Sequence, residues 1–129
     1  MEKHKLDILF SKNKRAQFFT HNDLDGVVSN LQALKFYSGL GYYVSTEITG
    51  YNDIDNKILN YVNSRDYSTE TLIFITDISC SPEVAEFLDK LPNPKTLIDH
   101  HSTNVFLNKY SWADVREGDS ASLMVYRHL

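Results

Sequence analysis

Thr71-Leu72-Ile73-Phe74-Ile75-Thr76-Asp77 decides the fold. A continuous apolar run of this kind belongs to a strand buried on both faces, as in a parallel sheet covered by helices. Working outward, Gln17-Phe18-Phe19-Thr20 stops at His21 and the short run from Lys95 to Ile98 leads straight into Asp99, and both read as strands. Tyr43-Val44-Ser45-Thr46-Glu47-Ile48 is β-branched and partly alternating, a further strand. Helical spacing falls between these runs. Val27, Leu31 and Leu34 share a face from about Leu24 to Tyr37, and Gly39 and Gly41 close that helix. Ile54, Ile58, Tyr61 and Val62 mark a second helix from about Asp53. Ser81 is a natural N-cap with Pro82 in the first helical position, and Val84, Phe87, Leu88 and Leu91 follow as a stripe that Pro92 and Pro94 stop. A short leading helix over Lys5 to Phe10 and a closing one from about Ser120 to Leu129, capped by Asp119 or Ser120, complete the prediction. Regular alternation of strand and helix predicts an α/β domain, a parallel sheet with helices on both faces.

The 129 residues are enough for one domain with a single core, and 42% apolar content is ordinary for a globular chain. Cys80 is the single cysteine, so no internal disulfide forms and nothing points to an oxidising compartment. No run approaches the roughly 18 apolar residues of a membrane span, and Met1-Glu2-Lys3-His4-Lys5 does not resemble a signal peptide. The expectation is a cytoplasmic protein with no membrane partner. The net charge of -4 speaks against extensive duplex binding. It leaves phosphodiester chemistry open, because bound cations reverse the sign of an acidic pocket. Lys12, Lys14 and Arg15 precede the first strand, at the end of the sheet away from the acidic clusters, and read as a solvated face.

Chemistry-bearing residues gather where strands end. They are His21-Asn22-Asp23-Leu24-Asp25-Gly26, Asp77, Asp99-His100-His101, and Gly118-Asp119-Ser120-Ala121-Ser122. The carboxyl ends of parallel strands share one edge, where ligands bind. Carboxylates with a minority of imidazoles suit two Mn²⁺ ions, with Mg²⁺ as a second choice. His21, Asp23 and Asp25 alternate through a tight turn, and Gly26 lets backbone approach a metal or phosphate. The same six residues also read as a helix cap with an exposed histidine. Asp77 alone reads as a turn cap before Ser79 and Ser81, and in company as a bridge between two metals. Adjacent histidines point apart, so one of His100 and His101 can ligate while the other faces substrate, with Asp99 orienting a ring. His4, His128, Trp112 and the tyrosines, Tyr51 among them, are scattered and read as packing or solvated groups.

These clusters, in this order, resemble the N-terminal domain of the DHH phosphoesterase superfamily, named for its Asp-His-His motif. The likeness covers nearly the whole chain. The one residue between His21 and Asp23 makes the first motif most similar to the RecJ-like exonuclease branch. The resemblance implies a three-layer, Rossmann-like αβα domain. It makes His21, Asp23 and Asp77 ligands of one metal and Asp25, Asp77 and His100 ligands of the second, with Asp77 bridging. His101 would contact the scissile phosphate, Asp99 would support the histidines, and Ser120 and Ser122 would lie in the family's small-residue, substrate-binding segment.

The implied activity is two-metal hydrolysis of single-stranded DNA or short oligonucleotides. The alternatives are a small-substrate phosphohydrolase, acting on a cyclic dinucleotide or pyrophosphate, and a truncated or degenerate metal- or nucleotide-binding module. Two family features have no counterpart: the aspartate expected after the small-residue segment, for which Asp114 and Asp119 come too early, and the second, DHH-associated domain. Residues 1–129 are thus expected to be one DHH-type domain that lacks its C-terminal end and partner domain and turns over poorly alone.

Overall fold

The computed structural model describes residues 14–129, so the leading helix expected over Lys5 to Phe10 lies outside the described residues. Strands β1 (Arg15–His21), β2 (Tyr43–Thr49), β3 (Leu72–Thr76), β4 (Lys95–Asp99) and β5 (Ala113–Val115) form one sheet in the order β2-β1-β3-β4-β5. All four pairings are parallel. The helices are α1 (Leu24–Gly39), α2 (Ile54–Val62), α3 (Pro82–Lys90) and α4 (Ala121–His128), with a 3₁₀ helix over Ser102–Lys109. The α/β class, with helices on both faces of a parallel sheet, is as expected.

Period-two alternation along the strands separates two apolar layers. Phe18, Phe74 and Ile98 pack with Ala33, Met124 and Val125 on the face covered by α1 and α4. Phe19, Ile73, Ile75 and Leu97 pack with Ile54, Ile58, Val84 and Leu88 on the face covered by α2 and α3. Every residue of β3 is buried, which accounts for its unbroken apolar sequence.

The face of α1 departs from expectation. Its buried residues are Gly26, Ser29 and Ala33, whereas Val27 and Leu31 are exposed. Small residues are needed on the inner side because α1 starts hard against the sheet. A Cβ on Gly26 would collide with the His21 carbonyl oxygen, and Thr20 Oγ1 donates to the Gly26 carbonyl at 2.8 Å. Phe87, placed by its spacing on the buried stripe of α3, is 38% exposed, while Val84 and Leu88 are buried. The 3₁₀ helix and β5 are additions to the elements that the sequence pattern predicts. The three-residue β5 carries one buried side chain, Val115, too short a pattern for periodicity to register.

The caps match the sequence closely. Ser81 accepts from the Val84 amide at 3.2 Å and Ser120 from the Leu123 amide at 3.2 Å. Gly41, at φ 89°, supplies the left-handed residue after α1. Among the described residues no helix is long and apolar enough to cross a membrane.

Candidate metal centre

Strand order reverses between β1 and β3: the chain steps from β1 outward to β2, then returns to the other side of β1 as β3 and proceeds to β4 and β5. Such a switch point leaves a crevice at the carboxyl ends of the strands. His21 is the last residue of β1, Asp77 follows β3, and Asp99 ends β4. The topology therefore delivers the three sequence clusters to one place.

Asp23 shows how the local sequence builds the first corner. Its Oδ1 caps α1 by accepting from the Gly26 amide at 2.8 Å, and its Oδ2 stands 2.9 Å from His21 Nδ1. The cap reading and the ligand reading are thus compatible, one for each oxygen. Asp77 is fully buried and takes φ 60°, a left-handed conformation that aspartate tolerates better than most residues. Its amide donates to the Ile98 carbonyl at 2.9 Å, which ties the turn to β4. Asp77 Oδ1 lies 2.8 Å from His100 Nε2, and Oδ2 lies 3.6 Å from His21 Nδ1.

His21 Nδ1 and Asp77 Oδ2 are both buried without a hydrogen-bond partner; the approach of Asp23 to His21 is close in distance but lacks hydrogen-bond geometry. One ligand atom from each of His21, Asp23 and Asp77 falls within a common 4.8 Å, as does one from each of Asp77, Asp99, His100 and His101. Ligand atoms about 2.0–2.2 Å from one ion and at right angles stand about 3 Å apart, comparable with the 2.9 and 3.6 Å separations around His21. Orphaned buried atoms facing one another at that spacing fit a divalent cation.

Asp25 sits differently. Its Oδ2 is 3.4 Å from His100 Nε2, yet the same oxygen accepts from the Ala121 amide at 2.9 Å and Oδ1 accepts from the Ser122 amide at 3.0 Å. It faces His100 and anchors the N-terminus of α4 at once. Ser120, besides capping α4, has its hydroxyl 3.2 Å from that of Ser122 at the rim.

The electrostatics follow from crowding carboxylates in a buried corner. Burial, reinforced by Asp23 and Asp25, pushes Asp77 up to about 9. Burial works against ionisation of Asp23 too, but the neighbouring Asp77 carboxyl, the Gly26 amide that donates to it and His21 alongside bring it down to about 2. Asp25 is likewise lowered despite its burial, through the Ser122 amide and hydroxyl and the Ala121 amide. Like charges so close cannot all ionise, and without a cation the cluster keeps a proton on Asp77.

Asp99 is fully buried and organises the far corner. It accepts from His101 Nδ1 at 2.6 Å, from the Ser79 hydroxyl at 2.8 Å and from Asn104 Nδ2 at 2.9 Å. His100 and His101 lie with ring centroids 4.4 Å apart, the first turned to Asp77 and the second to Asp99. Tyr51, read from sequence as packing, reaches the site: its hydroxyl is 3.0 Å from His101 Nε2 and its ring lies 4.4 Å from that of His21. Burial, with the charges of Asp77, Asp99 and Asp23, raises the Tyr51 hydroxyl above its ordinary value. Ser79, Tyr51 and Asn104 escaped sequence reasoning. Only their places just beyond β3, β2 and β4 could have pointed to them.

No protein-family model matches the chain. In sequence it is similar to Oligoribonuclease NrnB of Bacillus subtilis (strain 168), 28% identical over 121 residues that take in 86% of this chain and 30% of that protein. In structure it is similar to an uncharacterized protein from Helicobacter pylori G27, with a TM-score of 0.69 and 22% identity over 90% of this chain and 35% of that one. The chain thus spans about a third of the length of each. The structural likeness carries the fold alone. The sequence similarity supports the resemblance to the DHH superfamily and lends nothing to the RecJ-like branch within it.

Proposed function

We propose that this domain holds two divalent metal ions, Mn²⁺ before Mg²⁺, and serves hydrolysis of phosphodiester bonds in short oligoribonucleotides. The observation that carries the reading is the pair of buried, unpartnered atoms, His21 Nδ1 and Asp77 Oδ2, facing each other beside Asp23. In this proposal His21, Asp23 and Asp77 hold one ion, and Asp25, Asp77 and His100 the other. Two ions so placed supply Lewis acidity toward the phosphoryl oxygens and an activated water. Asp99 fixes the ring of His101, which serves the scissile phosphate from the substrate side, and Ser120 and Ser122 line the approach.

The class of substrate rests on similarity to a protein named as an oligoribonuclease. A second reading, single-stranded DNA as in RecJ-like exonucleases, is favoured by the single residue Asn22 between His21 and Asp23. Cys80, a free and buried thiol, suits a reducing compartment such as the cytoplasm.

Calorimetry with MnCl₂, paired with cleavage of 5′-labelled short RNA and DNA in Mn²⁺ at low salt, tests the proposal. We expect Mn²⁺ binding that His100→Ala weakens and His101→Ala spares, and slow RNA cleavage, as suits a domain that turns over poorly alone, that His101→Ala and Asp23→Ala both abolish. A chain that binds no Mn²⁺ overturns the metal centre. Equal loss of Mn²⁺ affinity in the two histidine variants overturns the division of roles, and preference for DNA overturns the substrate class.

A further inference from the structure

His101 has no free nitrogen. Asp99 Oδ1 takes Nδ1 at 2.6 Å and the Tyr51 hydroxyl takes Nε2 at 3.0 Å, and an imidazole has only these two. Asp99 cannot turn away, because Ser79 and Asn104 hold its other oxygen. The ring is therefore fixed at both ends, and the outward end of the chain of hydrogen bonds is the phenol. Tyr51 is 55% exposed.

We propose that Tyr51 is the substrate-facing end of an Asp99–His101–Tyr51 chain, its hydroxyl meeting the phosphoryl oxygen that a bare His101 would otherwise contact. The inference rests on the phosphodiesterase reading above and revises one contact in it: His101 serves the phosphate through Tyr51 and not directly. Position follows from backbone register. His21 pairs with Thr49 across β1 and β2, so Tyr51, two residues further on, arrives over the metal corner. There its ring leans on His21 at 42° and meets His101 nearly at right angles, 85°, with 5.7 Å between centroids.

Plain rim packing would account for the ring on His21. It would not direct the hydroxyl to Nε2. The chemistry suits an anionic ligand: a phosphoryl oxygen only accepts, whereas a phenol accepts and donates together. When Nε2 carries a proton and donates a hydrogen bond to the Tyr51 oxygen, the tyrosine O–H is free for the ligand. When Nε2 is bare, the O–H that points to it is released to the ligand as the phosphate settles. In both cases the phenol is the donor nearest solvent.

Tyr51→Phe keeps the ring and removes the hydroxyl. The test uses the 129-residue chain with inorganic phosphate as probe, followed by calorimetry in Mn²⁺ and, with diamagnetic Mg²⁺ in its place, by ¹⁵N spectra of the imidazole nitrogens. The expected result is unchanged Mn²⁺ affinity, a shifted His101 Nε2 resonance, and phosphate affinity lower by about tenfold or more, the worth of one hydrogen bond to a charged group. Tyr51→Phe combined with His101→Ala should bind phosphate no more weakly than His101→Ala alone, since the two groups act as one chain. Phosphate affinity unchanged in Tyr51→Phe, additive losses in the double variant, or no phosphate binding by the wild-type protein overturns the proposal. Failure of the phosphodiesterase reading looks different: the wild-type protein cleaves neither RNA nor DNA while the Tyr51-dependent phosphate binding persists.

Discussion

Asp77→Asn is expected to stabilise the metal-free protein at mildly alkaline pH while destroying its affinity for Mn²⁺. The Asp77 carboxyl titrates near 9 in the fold, raised by burial and then by Asp23 and Asp25, against about 3.9 in an unfolded chain. A folded pKa above the unfolded one means that the native state holds the proton more tightly. The stability this group contributes is complete below about pH 3.9, declines as pH rises, and is gone above about 9. At full linkage the decline is about 1.4 kcal/mol per pH unit, so pH 8 should cost the wild-type protein on the order of a few kcal/mol relative to pH 5. Asparagine carries no titrating proton and escapes that loss. It also accepts the left-handed backbone at φ 60°, where alanine would add strain, and it keeps a polar partner for His100. Denaturant unfolding in EDTA at pH 5 and pH 8 should show the two proteins close together at the lower pH and the variant ahead at the higher. Calorimetry should show Mn²⁺ binding weakened by at least about 10²-fold, more than the loss of an outer partner of a ligand costs. Parallel pH profiles for the two proteins, or undiminished Mn²⁺ binding by the variant, would refute the reasoning.

Gly26→Ala should destabilise the protein by about 1–3 kcal/mol or more, because its Cβ would strike the His21 carbonyl oxygen. Urea unfolding reads this directly, and a midpoint equal to wild type would mean that the turn has slack. Asp25→Asn should cost about 1–3 kcal/mol in EDTA, since the Ala121 and Ser122 amides meet different oxygens of Asp25 and asparagine would turn its NH₂ toward one of these donors; an unmoved unfolding midpoint would show that α4 does not depend on that anchor. Mn²⁺ affinity should climb about tenfold per pH unit for each proton released on binding, through the range below about 9 where Asp77 still holds its own; a flat calorimetric profile between pH 6 and pH 8 would contradict the protonated resting state.

Much of the fold is legible in the sequence. The run through Ile73, Phe74 and Ile75 is apolar at every position because both faces of β3 are covered, and that burial pattern is itself what the residues display. Ser81 and Pro82 announce the start of α3 by local chemistry alone. Periodicity misleads where a tertiary constraint outranks it. Val27 and Leu31 trace a regular stripe, yet close approach at Gly26 and Thr20 turns the small-residue side of α1 inward. In the site, the residues at strand ends were legible because parallel topology gives strand ends a shared edge. Tyr51 is not, for its place just beyond β2 is the one signal that separates it from the other tyrosines, and its meaning depends on a contact with His101 across 50 residues.

Asp25 carries the same lesson further and changes how the site is understood. From sequence it is one more alternating acid, equivalent to Asp23. In the fold, both its oxygens receive amides from the start of α4, 96 and 97 residues away, and one of them also faces His100. Each carboxylate oxygen has two lone pairs, so anchoring the helix leaves capacity for a cation. The consequence is mechanical. His21 ends β1, Asp23 caps α1, and Asp77 and His100 follow β3 and β4, whereas Asp25 is tied to α4, which packs against the sheet through Met124 and Val125. Of the two proposed ions, the one served by Asp25 and His100 therefore depends on where α4 sits. A displacement of that helix would loosen it first and leave the His21 corner intact.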